Sequence, residues 1–394
     1  MQSPIYVDFH LLQNVAPSLL NRDDTGAHKD ALFGGVRRAR ISSQCQKRAM
    51  REHWRHTAAL PKDEQAVRTQ YLLQALVERL AALGRPASEA AARVRLALGG
   101  LKLQADDDGR SQYLLFLGAD ELNRLAAVIA QYWDMLMPAE AVEPEAESGA
   151  GKKPVKTSKK AVKAAAKDAC PAEVITALEQ ALTDTRSLEV RLFGRMLADR
   201  PSFNSDASLQ VAHALGTAAL EREFDFFTAV DDLQAQDSAG AGHLGQLEFA
   251  STCFYRYATL NLRELHALLG RQRESTERAL RLLGDAITHA LPSGKQNTFA
   301  AHQKPAFVGI QIGTQPRSLA NAFEKPIRVR RDGLSLTGKS VRQLDTFRQR
   351  LNASYGETGA FYFHDLSDAK LQGGRETVGA ALTVAMADAL QRLG

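Results

Sequence analysis

The sequence has no long apolar run and little cysteine. No stretch of 18 or more apolar residues occurs, and residues 1–9 lack the basic segment and the cleavage site of a signal peptide. Cys45, Cys170 and Cys253 are far apart and form no CxxC pair, which argues against a disulfide framework and a thiolate metal site. We therefore expect a cytoplasmic protein with free thiols.

The sequence also lacks the motifs of common catalytic sites. Its ten histidines form no HExxH or HxH pattern, and no GxSxG motif occurs. The acidic pairs Asp23-Asp24 and Asp231-Asp232 remain as candidates for metal-assisted phosphodiester cleavage, although adjacent carboxylates in a loop more often serve turns or caps. We predict no catalytic residue, no metal and no cofactor. A metal-dependent nuclease that uses Asp23 and Asp24 is kept as an alternative.

Two glycine-rich segments resemble nucleotide-binding motifs. Residues 240–245 (GAGHLG) match GxGxxG, but the strand and helix that a dinucleotide site requires do not flank them, so we interpret them as a flexible loop tip. Residues 333–340 (GLSLTGKS) match the phosphate-binding loop GxxxxGK[ST] and make an NTP-hydrolysing protein the second alternative. Against it, little more than fifty residues follow, whereas the sheet that such a loop begins usually takes about 100 or more.

What the sequence does have is clustered positive charge near its N-terminus. The net charge is only +5, but residues 29–55 contain many more basic than acidic side chains. A helix predicted over residues 44–55 places Lys47, Arg51 and Arg55 on one stripe, and Cys45, Ala49, Met50 and Trp54 can face inward. Clustered cations of this kind permit nucleic-acid binding.

The hydrophobic pattern predicts an α+β fold. Residues 5–12 alternate at period two and are predicted to form a strand that enters the core, and residues 21–35 are predicted to form a loop. Helices are predicted over residues 66–136, 172–197, 262–291 and 341–351, and strands over residues 224–230, 249–260 and 307–312. Strands separated by helices favour α+β over a doubly wound sheet. Residues 138–169 change from acidic to lysine-rich with almost no large apolar residue, which predicts a disordered linker.

Several strings in the sequence resemble one protein family. Residues 11–51 (LLQNVAPSLLNRDDTGAHKDALFGGVRRARISSQCQKRAMR) closely resemble the signature of the CasC family, the backbone subunit of the type I-E CRISPR surveillance complex called Cascade. The strings FDFFTAVDDLQ (residues 224–234), AGHLGQLEFASTCFYRYATLNL (residues 241–262) and SLANAFEKP (residues 318–326) are also similar to that family, in the same order. The chain departs from the family in the lysine-rich linker and in its C-terminal tail.

The resemblance implies a particular domain organisation. It implies an RRM-like, ferredoxin-like palm with a large helical insertion, the fingers, and a β-hairpin or loop, the thumb. On this sequence the palm is residues 1–55 and 192–394, the fingers are residues 56–191, and the thumb is residues 228–250. The linker at residues 138–169 lies within the fingers.

The resemblance also implies a function and partners. A member of this family is a structural subunit, not an enzyme, that binds the guide RNA (crRNA) and oligomerises along its spacer to form the backbone of Cascade in antiviral defence. The guide is thereby presented for pairing with target DNA, so base pairing and not the protein reads the sequence. The implied partners are the crRNA, target DNA paired to it, further copies of the chain, and the guide-end caps, the large subunit and the small subunits of Cascade.

The predicted RNA contacts of the N-terminal region are polar or cationic. Cationic side chains there suit phosphate groups, and they are Arg37, Arg38, Arg40, Lys47, Arg48 and Arg51. Ser42 and Gln44 are predicted to hydrogen-bond sugar or phosphate, with helix capping as the alternative for Ser42. The resemblance places Asn21, Arg22 and Lys29 beside the same groove.

The other predicted contacts come from later parts of the chain. The residues predicted at the thumb and next to it are Arg195, Met196, Phe227, Thr228 and Leu244. The apolar ones suit wedging between bases or stacking on them, and core packing is the alternative for Phe227. A second basic site is predicted at Arg328, Arg330 and Arg331.

Overall fold

The computed structural model of the chain describes residues 3–103, 105–106, 108–137, 170–183, 185–197, 201–229, 243–329, 333–356 and 359–394. The chain divides into two compact units, unit 1 (Met1–Ala59 and Ser208–Gly394) and unit 2 (Leu60–Ala207). Within the described ranges, no helix has the length and apolar character needed to cross a membrane. The predicted linker at residues 138–169 lies outside the described residues.

The elements confirm the predicted mixture of helices and strands. In chain order they begin with β1 (Tyr6–Ser18), β2 (Asp30–Phe33), β3 (Val36–Ile41), α1 (Ser43–His56), β4 (Ala66–Thr69), α2 (Leu72–Ala82), α3 (Ala87–Gly100), β5 (Leu115–Gly118), α4 (Ala119–Gln131), α5 (Ala172–Ala181) and α6 (Leu188–Phe193). They continue with β6 (Leu209–Val211), β7 (Ala214–Gly216), β8 (Glu223–Ala229), β9 (His243–Asn261), α7 (Leu262–Leu268), α8 (Arg273–His289), α9 (Gln296–Phe299), β10 (Phe307–Gly313), α10 (Leu336–Tyr355), β11 (Ala360–Asp365) and α11 (Val378–Leu393).

Unit 1 is built on an antiparallel sheet. Over the part of the chain that the structure describes, its strand order is β11-β10-β1-β9-β7-β3-β2, and β6 and β8 also pair with β9. Strand β1 is central, with Phe9 opposite Ile310 of β10 on one side and Ala258 of β9 on the other. The C-terminal part of β9 pairs with β1, and its N-terminal part pairs with β8 to form what we call the β8–β9 hairpin. The hairpin is therefore a direct extension of a strand of the main sheet.

Strand β1 is buried on both faces. Its apolar side chains Val7, Phe9 and Leu11 are buried, which confirms the predicted N-terminal strand. Asp8 and His10, which point to the opposite face, are buried as well. Helices on both sides of the sheet explain this, since a strand covered on both faces exposes neither set of side chains.

Helices cover the sheet of unit 1. Val341 and Leu344 of α10 join one core cluster with Leu12, Tyr255 and Phe323. Helix α11 packs against β10 and β11, and α8 packs against α1.

Helix α1 begins and packs as its sequence predicts. The Ser42 Oγ accepts a hydrogen bond from the Cys45 backbone N at 3.2 Å, so Ser42 is the N-cap. Met50 and Trp54 are buried, and the Trp54 Nε1 donates to the Leu282 carbonyl of α8 at 3.0 Å. This packing turns the opposite face of α1, with its basic residues, away from the core.

Unit 2 is a helical core with a short strand pair. Leu76 and Leu80 of α2, Leu125 and Ile129 of α4, and Leu178 of α5 are buried in one cluster. Strands β4 and β5 form an antiparallel pair. The sequence pattern does not predict these two strands.

Three predicted segments are wrong in part. The loop predicted over residues 21–35 contains β2, which forms because it pairs with β3. The helix predicted over residues 262–291 is two helices, because Gly270 and Arg271 adopt positive φ angles of 66° and 58°. The helix predicted over residues 172–197 is likewise divided into α5 and α6.

Candidate nucleic-acid interface

A polar cleft of about 530 Å³ in unit 1 collects several predicted site residues. We call it the N-terminal cleft, and its lining includes the cations Arg22 and Arg48, the carboxylates of Asp23, Asp24 and Glu52, and Asn21, Ser293 and Gly294. Local hydrogen bonds fix one wall of the cleft, the loop of residues 21–29. The Asn21 carbonyl accepts from the Lys29 N at 2.9 Å, and the Asn21 Oδ1 accepts from the Ser42 N at 2.8 Å. The loop of residues 21–29 is thereby fixed beside the start of α1.

The second wall of the cleft requires a glycine. A Cβ atom on Gly294 would collide with the Leu20 carbonyl. The backbone at Gly294 can therefore lie close to the backbone at Leu20, and no side chain of residue 294 fills the cleft.

Asp23 has a structural role in the loop. Its Oδ1 accepts hydrogen bonds from the Thr25 Oγ1 at 2.7 Å, the Thr25 N at 2.9 Å and the Ala27 N at 3.1 Å. These bonds, the Thr25 hydroxyl first, lower the pKa of Asp23. The carboxylate thus serves the turn. In the described parts of the chain no group of three or more His, Cys, Asp and Glu is placed to hold a metal ion, and Asp231 and Asp232 lie outside those parts.

Several of the cations that were predicted to contact phosphate lie at the surface. Arg22, Arg37 and Arg48 are exposed, and Lys29, Arg40, Lys47 and Arg51 are partly exposed. The Arg37 Nη1 donates to the Asp30 Oδ1 at 2.9 Å, and the Arg40 Nε donates to the Asp30 carbonyl at 3.0 Å. Gln44 is exposed in the first turn of α1, whereas Ser42 is the cap described above. The structure therefore gathers most of the predicted phosphate contacts on the loop, β3 and α1.

Two of the predicted arginine contacts are instead buried. The Arg38 guanidinium donates to the carbonyls of Gly216, Thr217, Phe323 and Glu324 at 3.0 to 3.1 Å, and burial lowers its pKa. Because the protein itself binds this guanidinium, Arg38 is not open to phosphate.

Arg195 in unit 2 is buried in the same way. Its Nη1 donates to both carboxylate oxygens of Glu121, at 2.7 and 2.8 Å, and its Nε donates to the Phe203 carbonyl at 2.8 Å. Neither Arg38 nor Arg195 is therefore open to RNA.

The predicted apolar contacts differ in exposure. Met196 is 82% exposed and Phe227 is 46% exposed, so neither side chain lies in a core. The Phe227 ring lies over Gly245 of the facing strand, where a Cβ atom would collide with it. Thr228 and Leu244 are paired across the β8–β9 hairpin, and their side chains lie outside the described residues.

A second cleft of about 600 Å³, with a basic lining, surrounds Arg328. Its lining includes the cations Lys325, Lys339 and Arg342 together with Leu334, and no acidic residue is among the described residues that line it. Arg330 and Arg331 lie outside the described residues. Sequence reasoning missed Lys325 and Arg342, although Lys339 stood in the motif at residues 333–340.

That motif does not form a phosphate-binding loop. Helix α10 already begins at Leu336, and the Ser335 Oγ accepts from the Gly338 N at 3.1 Å as its N-cap. The Asp368 carboxylate accepts from the Ser335 N and Oγ, both at 2.7 Å, so an acidic group occupies the place that a phosphate would need. The strands of the main sheet are also antiparallel, whereas this motif requires a parallel sheet. The NTP-hydrolysing alternative is therefore wrong for residues 333–340.

The GxGxxG match is also not a dinucleotide site. His243 to Gly245 begin strand β9, and not the helix that such a site needs. The loop tip predicted over residues 240–245 is therefore wrong for His243 to Gly245, and residues 240–242 lie outside the described residues.

Comparisons with known proteins agree on one kind of protein. A family model described as CT1975-like protein matches residues 7–390. A chain of a solved structure titled "CRISPR RNA-guided surveillance complex, pre-nicking" is 28% identical, with a TM-score of 0.78 over 98% of this chain and 100% of that chain. A chain of a "CRISPR RNA-guided surveillance complex" is 24% identical, with a TM-score of 0.70 over 97% and 99%, and shows likeness of fold alone. A comparison with curated proteins found no match.

Proposed function

Because the chain belongs to the CT1975-like family of CRISPR-associated (Cas) proteins, we propose that it is a guide-RNA-binding component of an RNA-guided surveillance complex. In this proposal it is the type I-E backbone subunit, of which several copies bind along the crRNA spacer. The protein holds the guide for pairing with target DNA and contacts the caps, the large subunit and the small subunits of Cascade. Its role is structural and not catalytic.

The observation on which this proposal depends is the set of cations at and around the N-terminal cleft. Exposed Arg22 and Arg48 line a polar opening that Asp23, Asp24 and Glu52 also line, and the partly exposed Lys29 lies in the same fixed loop. Cations held on a rigid loop and a helix bind phosphates wherever they occur along a strand, so they position RNA without reading its bases. This is the chemistry that a guide-holding subunit needs.

The fold offers places for the parts that the resemblance implies. We propose that the sheet of unit 1 is the RRM-like palm, that the helices of unit 2 are the fingers, and that the β8–β9 hairpin belongs to the thumb. Phe227 and Met196, exposed and apolar, are the proposed contacts to bases.

Native mass spectrometry with synthetic single-stranded RNAs of increasing length tests the proposal. We expect the number of bound copies to rise stepwise with RNA length, and fluorescence anisotropy to give similar affinities for unrelated sequences. Failure to bind RNA, or binding to one base sequence alone, would contradict the proposal. Incubation with ATP and with target strands serves as the control for catalysis, for which we expect neither hydrolysis nor cleavage.

A further inference from the structure

Another cleft of unit 1, of about 470 Å³, is lined mainly by residues of α8 and α11. We call it the α8–α11 cleft. It shares no lining residue with the N-terminal cleft or with the cleft around Arg328. Its volume lies within the range of about 300–1,000 Å³ that is typical of small-molecule sites. The α8–α11 cleft is therefore a separate candidate for binding a small ligand.

The walls of this cleft are largely apolar. Val378, Leu382 and Met386 are spaced four residues apart on α11, so they form one stripe along about 12 Å of the helix. All three side chains are partly exposed, so part of each remains accessible. Pro305, just before β10, and Val308 within β10 add apolar surface. The cleft thus offers a hydrocarbon surface about two helical turns long.

A glycine on α8 allows the base of the cleft to close. A Cβ atom on Gly284 would collide with the Met386 Cε and would lie 3.2 Å from the Leu382 Cδ2. These two α11 side chains therefore pack directly on the α8 backbone. Because this contact fixes Leu382 and Met386, the shape of the cleft exists before any ligand binds.

The hydroxyl groups of the lining are largely used within their own helices. The Thr288 Oγ1 donates to the Gly284 carbonyl at 2.8 Å, and the Thr377 Oγ1 accepts from the Ala380 N at 3.0 Å. A sugar or a base would bring polar groups that find few partners on these walls, and unpaired polar groups cost free energy when they are buried. The walls therefore suit a hydrocarbon chain.

One end of the cleft combines a cation with an exposed apolar side chain. Lys304 is exposed, and within the described parts of the chain its side chain has no acidic partner. Arg281, the other cation of the lining, pairs with Glu277. Leu366 is 69% exposed, and its backbone N donates to the Ala306 carbonyl at 2.8 Å, two residues after Lys304. A ligand that covers Leu366 can thus pair an anionic group with Lys304.

The acidic group of the lining is already in contact with histidines. Asp285 is the one acidic residue among the described residues that line the cleft. Its Oδ2 lies 2.7 Å from the His53 Nε2, and its Oδ1 lies 3.1 Å from the His289 Nδ1. Because both carboxylate oxygens have a partner, Lys304 is the charge that is open to a ligand. The charge of the cleft therefore favours an anion.

From these observations we propose that the α8–α11 cleft binds a medium-chain carboxylate, which is an amphiphile with one anionic end. Its alkyl chain lies along Leu382 and Met386, and its carboxylate pairs with Lys304. A nucleic-acid strand fits less well, because no Phe, Tyr or Trp is among the described residues that line the cleft, and a base has no ring on which to stack. The inference does not depend on RNA binding, so the two proposals are tested separately.

Calorimetric titration of the full chain with decanoate tests the binding. We expect a saturable site, and octanoate should bind roughly tenfold more weakly because two buried methylene groups are removed. Decyltrimethylammonium keeps the alkyl chain and reverses the charge, so it should bind severalfold more weakly than decanoate. The proposal is wrong if decanoate shows no saturable binding or if the cation binds equally well.

NMR of methionine methyl groups localises the ligand. The chain has six methionines, of which Met386 lines the cleft. With isotope-labelled methyl groups, decanoate should shift the Met386 resonance and leave that of Met50, a buried residue of α1, unchanged. Equal shifts at Met50 or at the exposed Met196 would show that decanoate acts as a general surfactant, which would contradict a specific site.

Variants of Lys304 test the ion pair. Lys304→Ala should weaken decanoate binding roughly two- to fivefold, the effect of losing one exposed ion pair. Lys304→Arg keeps the charge and should bind decanoate like wild type. Equal loss in both variants would show that the charge has no role.

Variants of Gly379 test the cleft itself. Gly379 lies in the first turn of α11 and lines the cleft, and a Cβ atom there would meet nothing nearer than the Thr377 Oγ1 at 3.8 Å. Gly379→Glu adds a carboxylate to the lining and should weaken decanoate binding more than Gly379→Gln, which has the same size and no charge. Neither variant should lower the melting temperature, because a helix favours both residues over glycine.

The same variants distinguish the ligand from another occupant. If Gly379→Glu binds decanoate as tightly as wild type, the ligand lies elsewhere and the proposal is wrong. Sedimentation of wild type and Gly379→Glu checks for a second copy of the chain. If wild type self-associates, Gly379→Glu does not, and neither binds decanoate, a second copy occupies the cleft and the proposal is again wrong.

Discussion

Arg195 and Glu121 form a buried bidentate ion pair in unit 2, in which one guanidinium nitrogen donates to both carboxylate oxygens at 2.7 and 2.8 Å. The side chains are only 3% and 0% exposed. The Glu121 Oε2 also accepts from the Gly118 N at 2.6 Å, and so the pair connects the first turn of α4 to the segment after α6. Burial raises the pKa of Glu121, and the Arg195 charge opposes this shift.

Removing the carboxylate charge should strongly destabilise the protein. Glu121→Gln leaves the Arg195 guanidinium buried without a counter-charge, and breaking such a pair costs about 3–5 kcal/mol. Urea unfolding measures the free energy. The control Glu277→Gln removes one partner of the exposed Arg281–Glu277 pair on α8 and should change the free energy by less than about 1 kcal/mol. Equal effects of the two variants would contradict a structural role for Arg195.

Asp8 should make stability depend on pH. Its Oδ1 accepts from the Tyr257 hydroxyl at 3.1 Å and its Oδ2 from the Arg317 N at 2.8 Å, but burial dominates and raises its pKa from 3.8 to about 6. The folded state therefore binds this proton more tightly than the unfolded state does. The contribution of Asp8 to the free energy of unfolding is full below pH 3.8 and is lost as the pH rises through 6.

Asp8→Asn should remove that dependence. Between pH 4 and pH 7 the variant should gain roughly 2–3 kcal/mol relative to wild type, which corresponds to a shift of about two pKa units. Urea unfolding at both pH values measures this difference. Asp23→Asn is a control of opposite sign, because the pKa of Asp23 is lowered in the folded state and its contribution is lost as the pH falls. A constant difference between Asp8→Asn and wild type would show that the carboxyl group titrates normally.

Arg48 should contribute to RNA affinity through charge alone. Arg48→Ala removes one exposed cation of the N-terminal cleft, and each phosphate contact adds about 0.7 to the slope of log affinity against log salt for single strands. We expect the slope to fall by about that amount for every RNA sequence, and Lys47→Ala to act in the same direction. Arg281→Ala removes an equal charge from α8 and should leave the slope unchanged. A loss limited to one base sequence would contradict phosphate contact.

Residues 138–169 should not contribute to stability. Their composition offers almost no large apolar side chain, so deleting residues 140–167 should leave the melting temperature nearly unchanged. Deleting α5 instead removes Val174 and Leu178 from the core of unit 2 and should lower it strongly. A fall of about ten degrees in the linker deletion would show that the segment is folded.

Shortening the hairpin connection should affect assembly more than folding. Since β9 begins at His243, a deletion of residues 231–241 spares both paired strands. We expect an unchanged melting temperature and unchanged binding of one copy to a short RNA. Assembly along a full-length guide should lose cooperativity. The resemblance to the CasC family implies that each thumb displaces one guide base at regular intervals, so chemical probing should show loss of that even spacing. An unchanged probing pattern would contradict the thumb assignment and leave RNA binding intact.

Sequence patterns correctly predicted those features that depend on neighbouring residues alone, such as helix caps and the buried side of a helix or strand. The Ser42 cap and the inward Trp54 follow from residue type and helical period, and both are confirmed. The apolar side of β1 follows from period two in the same way. The burial of His10 could not be predicted, because its partner is the Tyr255 hydroxyl, 245 residues away, at 2.9 Å.

The same dependence on distant partners explains why Arg38 and Arg195 were predicted to contact RNA although both are buried. Arg37 and Arg38 are neighbours of one residue type, yet one is exposed and the other donates to carbonyls near residues 216 and 323. Burial of an arginine depends on acceptors that the fold brings to it, and the local sequence does not contain them. The alternation of Phe224 and Phe226 is visible in the sequence, but the strand register is needed to place them opposite Glu248 and Gln246.

Strand β9 connects the hairpin to the centre of the sheet without interruption. Its 19 residues extend for about 60 Å, from the pairs with β8 to the pairs with β1. A force on the N-terminal end of β9 is therefore transmitted along its backbone to the hydrogen bonds that pair β9 with β1. Hydrogen exchange of the amides at residues 254–261 should therefore report on occupancy of the hairpin, although these residues pair with β1 and not with β8.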